Sequence, residues 1–182
     1  MKRIKKLYLF MTIGAAIGIV ASFWQTLEKL TLLKNPDAIL SCNLNGVFSC
    51  SNVLNSHQAS LFGFPNSIMS LMFFIVFLTV AIVGLSGGLV TKKMRFSIHF
   101  LSFFVLLFGL WFLHTSTYSI KSICIFCIFN FLGLLVINYA WLRQNASDVK
   151  WMKNLTKKGL DIFIWILCAL LLASAILFQF YI

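Results

Sequence analysis

The sequence predicts an all-α integral membrane protein with five transmembrane helices. Of its 182 residues, 60% are hydrophobic and 10% are charged, whereas charged residues make up about 25% of an average soluble domain. The mean hydropathy is +0.95. Five apolar segments each approach the roughly 20 residues that a helix needs to cross a bilayer. These observations exclude a soluble globular domain and a disordered or low-complexity chain.

The predicted spans divide the chain into one membrane domain covering residues 1–182. Their approximate bounds are 7–27, 64–85, 96–114, 123–142 and 160–182. The first span follows a basic start, but it is longer than the apolar region of about 7–15 residues in a secretory signal peptide. We therefore expect it to be retained as a helix. The longest connection, about residues 28–63, separates the first two spans.

The distribution of basic residues predicts the orientation of these spans. The formal net charge is +11. Lysines and arginines cluster before the first span, between the second and third, and between the fourth and fifth. Basic loops remain in the cytoplasm, so we expect a bacterial inner-membrane protein with a cytoplasmic N-terminus and the 28–63 loop in the periplasm. This explains the charge without nucleic acid, which no arginine-rich stripe or stacking platform supports.

Four of the five cysteines are predicted to gather at the outer face of the membrane. Cys42 and Cys50 lie in the long loop, and Cys124 and Cys127 form a Cys-x-x-Cys motif at the start of the fourth span. Residues three apart share a helix face. The helix N-terminus and the adjacent Lys121 would favour a thiolate at Cys124. Because the thiolate is the nucleophile of disulfide exchange, this placement suits redox chemistry.

Three interpretations of these thiols are open: two structural disulfides, a zinc site, or a redox relay between the loop pair and the membrane pair. Seven residues separate Cys42 from Cys50, unlike the roughly two to four usual in zinc sites, so we expect no metal. A relay needs an electron acceptor. The sequence contains no dinucleotide-binding, haem or iron–sulfur motif, so a lipid-soluble quinone is the acceptor we expect. A carrier of electrons from a cytoplasmic thiol is disfavoured because no cysteine lies on that side.

Three stretches around the cysteines form a recognisable pattern: residues 49–56 (SCSNVLNS), 62–67 (FGFPNS) and 124–127 (CIFC). Together with the spacing of the loop pair, and with that pair preceding the membrane pair, this pattern resembles the vitamin K epoxide reductase family. The resemblance implies four helices bundled around a quinone, ubiquinone or menaquinone, under a short lid helix. Bacterial members oxidise a thioredoxin-like or DsbA-like protein and pass its electrons to the quinone.

Carried over by position, the resemblance implies a role for each candidate residue. Cys42 would exchange with the partner, and Cys50 would exchange in turn with Cys124. Cys127 would react with the quinone, and Asn66 would hydrogen-bond one of its carbonyl groups. These assignments predict a thiol–quinone oxidoreductase that supports disulfide bond formation.

The neighbours of these residues carry further expectations. Ser56 would order the loop near the site. Asn130 lies on the Cys127 face of its helix and would either link two helices or add a polar group to the quinone site. Phe131 stands where vertebrate members have a tyrosine and cannot donate a hydrogen bond, so quinone reduction is expected rather than vitamin K epoxide reduction. With no fused thioredoxin-like domain, the partner is expected to be separate. We assign no redox role to His57, His114 or Cys168.

Overall fold

The computed structural model describes residues 2–146, 148–157, 159, 161–162, 165–166, 170, 174 and 179. Throughout these residues the chain forms helices and turns, and the one β-type pairing among them is an isolated bridge between Phe48 and Ile123. The α-helices are α1 (Lys2–Lys34), α2 (Cys50–Asn55), α3 (Asn66–Leu85), α4 (Lys92–Thr115), α5 (Ile125–Asn145) and α6 (Lys150–Lys157). The all-α prediction is confirmed for this part of the chain.

Among the described residues, four helical segments are long and apolar enough to cross a membrane. They are Ile4–Lys34, Asn66–Leu85, Lys92–Ile120 and Ile125–Asn145. The last of them begins directly after Cys124, so the Cys-x-x-Cys motif straddles a helix start as predicted. The fifth predicted span, residues 160–182, falls largely outside the described residues, and Cys168 is one of those left out.

The first and third spans are longer helices than hydropathy predicts. α1 continues past residue 27 to Lys34. Hydropathy falls at the charged residues near the end of α1, but charged residues do not end a helix. Pro36 is the first proline of the sequence, and a proline disfavours helical backbone at the residue before it. After α4 a π-helix, Ser116–Ile120, follows where an outer turn was expected. Lys121 then leaves the helix with a φ of 55°.

The helices pack around α1, which contacts both α3 and α5, while α5 also contacts α4. Where α1 and α5 cross, a Cβ atom added to Gly133 would lie 2.6 Å from the carbonyl oxygen of Gly14. Small residues of this kind allow close packing of membrane helices. The fully buried side chains of this bundle include Met11, Phe74, Phe77, Ile137 and Trp141.

The loop segment, residues 35–65, folds over one end of this bundle. It contains α2 and a short 3₁₀ helix, His57–Ser60. A second apolar cluster joins this segment to α1, α4 and α5, and its buried members include Leu32, Leu40, Val53, Leu54, Phe112 and the cysteines 42, 50 and 124. The loop segment therefore brings its two cysteines to the start of α5.

Candidate thiol redox site

The two cysteine pairs meet at the end of the bundle that the loop segment covers. Cys42 and Cys50 form a disulfide, whereas Cys124 and Cys127 are free thiols. Cys50 Sγ lies 3.2 Å from Cys124 Sγ, and both side chains are fully buried. Thiol–disulfide exchange requires a third sulfur in contact with a disulfide. A thiolate at Cys124 is placed to bond to Cys50 and displace Cys42.

Contacts on both sides of this sulfur–sulfur approach hold the loop segment against the start of α5. The backbone N–H of Ile123 donates to the carbonyl oxygen of Val47 at 2.8 Å. The side-chain amide of Asn52 donates to the hydroxyl of Ser122 at 2.9 Å. Neither contact involves a sulfur atom, so the two cysteines stay adjacent without a covalent bond between them.

The outer cysteine, Cys42, is held in place by its neighbours. Asn43 accepts a hydrogen bond from the backbone N–H of Ser51 at 3.1 Å and donates to its hydroxyl at 2.7 Å. The carboxylate of Glu28 accepts from the backbone N–H of Ser41 at 3.3 Å and from its hydroxyl. Cys42 is only 3% exposed. Because Cys42 is buried, an external thiol could reach this sulfur only after part of the loop segment moves.

Cys124 carries the more acidic environment expected of a nucleophile. It precedes α5, and its carbonyl oxygen accepts a hydrogen bond from the backbone N–H of Cys127 at 3.0 Å. A hydrogen bond from the Cys127 side chain lowers the pKa of the Cys124 thiol, against the opposing effect of burial, and the backbone N–H groups of Phe126 and Cys127 also lower it. The direction agrees with the sequence-based expectation. The causes are these hydrogen bonds rather than the charge of Lys121.

A pocket with a cavity volume of about 80 Å³ opens behind Cys127 between α1, α3, α4 and α5. Its wall is mostly apolar, as small-molecule sites usually are. The polar side chains in the lining are Gln25, Lys29, Asn66, Ser67, Ser70 and Asn130, and Phe131 is among the aromatic ones. Cys127 also lines the pocket, so one thiol of the membrane pair lies against it.

Asn66 shows that the pocket is suited to a ligand with a polar edge. Its side-chain nitrogen donates to the carbonyl oxygen of Gln58 at 2.7 Å, but its side-chain oxygen is buried without a hydrogen-bond partner among the described residues. A buried acceptor left unpaired is costly. A hydroxyl group of a bound molecule, such as that of a hydroquinone, would satisfy it. The carbonyl oxygens of an oxidised quinone are acceptors and would need a donor instead.

Two polar residues of α1 belong to the site although the sequence analysis did not select them. Gln25 donates to Cys127 Sγ at 3.4 Å. Lys29 donates to the carbonyl oxygen of Leu54, near the end of α2, at 2.5 Å. The signal that could have found them is their polarity inside an apolar helix, because such residues usually face the interior of a membrane bundle.

The remaining predicted residues occupy varied positions. Asn130 contacts α1 and also lines the pocket. Ser56 lies outside the pocket lining, and its hydroxyl donates to the carbonyl oxygen of Val53 at 2.7 Å, where α2 ends. His57 begins the 3₁₀ helix, and the ring of His114 lies 4.7 Å from that of Tyr118. Within the described residues, no three His, Cys, Asp or Glu side chains are grouped to hold a metal ion.

Comparison with known proteins agrees with this geometry. The family model described as "Vitamin K epoxide reductase family" matches residues 9–142. That range contains the four cysteines of the site and every residue that lines the pocket. No curated protein sequence matches the chain. Because the match covers most of the chain, the protein belongs to the vitamin K epoxide reductase family of membrane thiol–disulfide and quinone oxidoreductases.

Proposed function

We propose that this protein oxidises a separate periplasmic thioredoxin-like (DsbA-like) protein, reduces a quinone in the membrane, and so supports disulfide bond formation. The observation that carries this proposal is the 3.2 Å approach of Cys50 Sγ to Cys124 Sγ. It connects a disulfide in the loop segment to a thiol pair whose second member, Cys127, lines the pocket. Sulfur contacts therefore lead from the loop to the pocket.

Electrons enter this path through the loop pair. A partner thiolate bonds to Cys42 and displaces Cys50, and the partner's second thiol then releases Cys42 by forming the partner's own disulfide. The Cys50 thiolate next bonds to Cys124 of an oxidised membrane pair and displaces Cys127. Cys42 resolves the Cys50–Cys124 bond. Each exchange replaces one disulfide by another, so two electrons move inward and the loop disulfide is restored.

The arrangement in the structure corresponds to the stage after this transfer, with the loop pair oxidised and the membrane pair reduced. A quinone bound in the pocket would supply an acceptor for two electrons and two protons. Cys124 and Cys127 lose their thiol protons and form a disulfide with each other. Asn66 is placed to accept a hydrogen bond from a hydroxyl group in the pocket, because its side-chain oxygen is otherwise unpaired.

The charge distribution supports a periplasmic position for the site. Lys5, Lys6, Lys92 and Lys93 lie near the start of α1 and of α4, at the end of the bundle opposite the cysteines. Basic residues mark the cytoplasmic side of a bacterial inner membrane. The cysteine end then faces the periplasm, where disulfides persist.

The pocket wall favours quinone reduction over vitamin K epoxide reduction. Phe131 lines the pocket and is buried. Its ring offers packing area but no hydroxyl donor, in contrast to the tyrosine that the resemblance places there in vertebrate enzymes. Ubiquinone and menaquinone both present a planar ring with two carbonyl groups that this wall would accommodate.

Quinone reduction by the purified protein tests the proposal. The protein in detergent is mixed with a reduced thioredoxin-like periplasmic protein and a soluble quinone, and quinone absorbance is followed. We expect turnover by the wild type, loss of turnover in Cys42→Ser with the protein donor, and loss in Cys127→Ser with any donor. Turnover by the wild type with dithiothreitol but not with the thioredoxin-like protein would contradict the assigned partner. No turnover with either donor would overturn the function and leave structural disulfides as the explanation.

A further inference from the structure

A chain of buried hydrogen bonds runs from α1 to the sulfur that faces the pocket. The hydroxyl of Ser22 donates to the side-chain oxygen of Asn130 at 2.9 Å. The Asn130 amide nitrogen donates to the side-chain oxygen of Gln25 at 3.1 Å, and the Gln25 amide nitrogen donates to Cys127 Sγ at 3.4 Å. Each of the three polar side chains is less than one-tenth exposed. Two helices thus cooperate to aim one N–H donor at one sulfur.

The pairing of the two amides couples the orientation of the Gln25 amide to that of Asn130. If Gln25 alone reversed its amide, its nitrogen would face the Asn130 nitrogen and leave two donors opposed inside the bundle. Such buried mismatches are costly. Reversal would require Asn130 and Ser22 to change together, because linked hydrogen bonds reinforce one another. The donor orientation at Cys127 is therefore a property of the whole chain of bonds.

We propose that Gln25 is a catalytic residue of quinone reduction, which donates a hydrogen bond to the Cys127 sulfur as it gives up its proton, and that Asn130 and Ser22 are its positioning residues. This inference rests on the proposed function. Overall, the Cys124 and Cys127 thiols and one quinone become a disulfide and one hydroquinone, with two electrons and two protons transferred. The Cys127 sulfur carries negative charge before the sulfur–sulfur bond forms. A hydrogen bond to a charged acceptor is stronger than one to a neutral thiol.

The test compares the wild type with Gln25→Met, which keeps the length of the side chain and removes its donor. Quinone reduction is driven by dithiothreitol, so the protein partner is not needed. We expect kcat to fall about tenfold, the effect of one charge-assisted hydrogen bond, with the KM for the soluble quinone within about twofold of wild type. Asn130→Leu should produce a smaller loss, since Gln25 stays but loses its orientation.

Thr12→Val provides a control on the same helix. Its hydroxyl donates to the carbonyl oxygen of Tyr8 at 3.0 Å, within α1 and away from Cys127 and the pocket. We expect its kcat to match the wild type. A tenfold loss in this control as well would show a general packing effect and would overturn the specific role of Gln25.

Alkylation of Cys127 by N-ethylmaleimide at fixed pH, measured peptide by peptide in the reduced protein, separates a chemical role from a packing role. Loss of a donor makes the sulfur less reactive and slows alkylation in Gln25→Met. A packing defect increases access and speeds it. Unchanged kcat, or slow turnover with faster alkylation, would overturn the inference. If the wild type reduces no quinone, the proposed function fails, and alkylation at the wild-type rate in Gln25→Met would then overturn the hydrogen-bonding role too.

Discussion

Cys50 and Cys124 place their sulfur atoms 3.2 Å apart although 74 residues separate them in the sequence. The contact joins the loop segment to the start of α5, and it is the point at which electrons would pass between the two cysteine pairs. Both side chains are fully buried. Exchange at this point would therefore proceed within the folded protein, shielded from unrelated thiols.

Paired-cysteine variants should reveal this contact directly. With Cys42→Ser and Cys127→Ser combined, the site retains only Cys50 and Cys124, and we expect a mild oxidant to join them quickly because their sulfur atoms already lie 3.2 Å apart. Peptide mapping under non-reducing conditions measures the rate. The variant that retains Cys42 and Cys127 is the control. If that pair formed its bond as quickly as the first, the observed contact would not represent the preferred route of exchange.

The hydrogen bond between Asn52 and Ser122 should speed exchange between the two pairs. Asn52→Ala and Ser122→Ala each remove this bond, worth about 1 kcal/mol, and we expect each to slow transfer from the loop pair to the membrane pair about fivefold. Rapid mixing with a reduced partner, followed by acid quench and thiol mapping, measures this transfer. The double variant should be no slower than either single one, because the two residues share one interaction. Fully additive effects would contradict that coupling.

The sequence predicts the spans and the cysteine pairs because composition and motif spacing are local properties. The contact between Gln25 and Cys127 cannot be predicted in this way. The two residues are 102 positions apart, and only the packing of α1 against α5 brings them together. The burial of Cys42 escapes it as well. A cysteine in a loop is expected to be accessible, but Cys42 is buried by its disulfide with Cys50 and by packing in the apolar cluster beneath the loop segment. Tertiary packing, rather than local preference, determines both features.

The acidity of Cys124 gives the reactivity of the site a defined dependence on pH. The hydrogen bond from Cys127 lowers the pKa of the Cys124 thiol, so its thiolate persists to lower pH than that of an ordinary cysteine. Cys127→Ala removes this cause, and the onset of Cys124 alkylation should move to higher pH. The measurement uses a background with Cys42→Ser and Cys50→Ser, which prevents disulfide exchange. An onset that stays in place or moves to lower pH would contradict the assigned cause.

Release of the segment around Ser41 should control access to the loop disulfide. Glu28 holds this segment through the backbone N–H and the hydroxyl of Ser41. Glu28→Ala removes both bonds, and we expect reduction of the Cys42–Cys50 disulfide by glutathione to become about tenfold faster, since hydrogen bonds to charged groups are worth about 1.5–3 kcal/mol. Thr31→Val is the control, because the Thr31 hydroxyl bonds only within α1, to the carbonyl oxygen of Leu27. Equal rates in wild type and Glu28→Ala would show that access is limited elsewhere.

The crossing of α1 and α5 at Gly133 should be essential for the alignment of Gln25 with Cys127. A Cβ atom at Gly133 would lie 2.6 Å from the carbonyl oxygen of Gly14, and backbone at this position cannot move without separating the helices. We expect Gly133→Ala to destabilise the protein by about 1–3 kcal/mol and to slow quinone reduction in the fraction that folds. Thermal unfolding in detergent and turnover per folded molecule measure the two effects.

Gly109→Ala offers the matched control for this prediction. Gly109 also belongs to a membrane-spanning helix and lines the pocket. A Cβ atom there would meet only side-chain atoms at 3.6 and 3.7 Å, which is ordinary contact, so we expect near wild-type stability. If Gly133→Ala unfolded at the same temperature as Gly109→Ala, the close approach of α1 and α5 would have no energetic importance. The alignment of Gln25 with Cys127 would then have to depend on the hydrogen bonds alone.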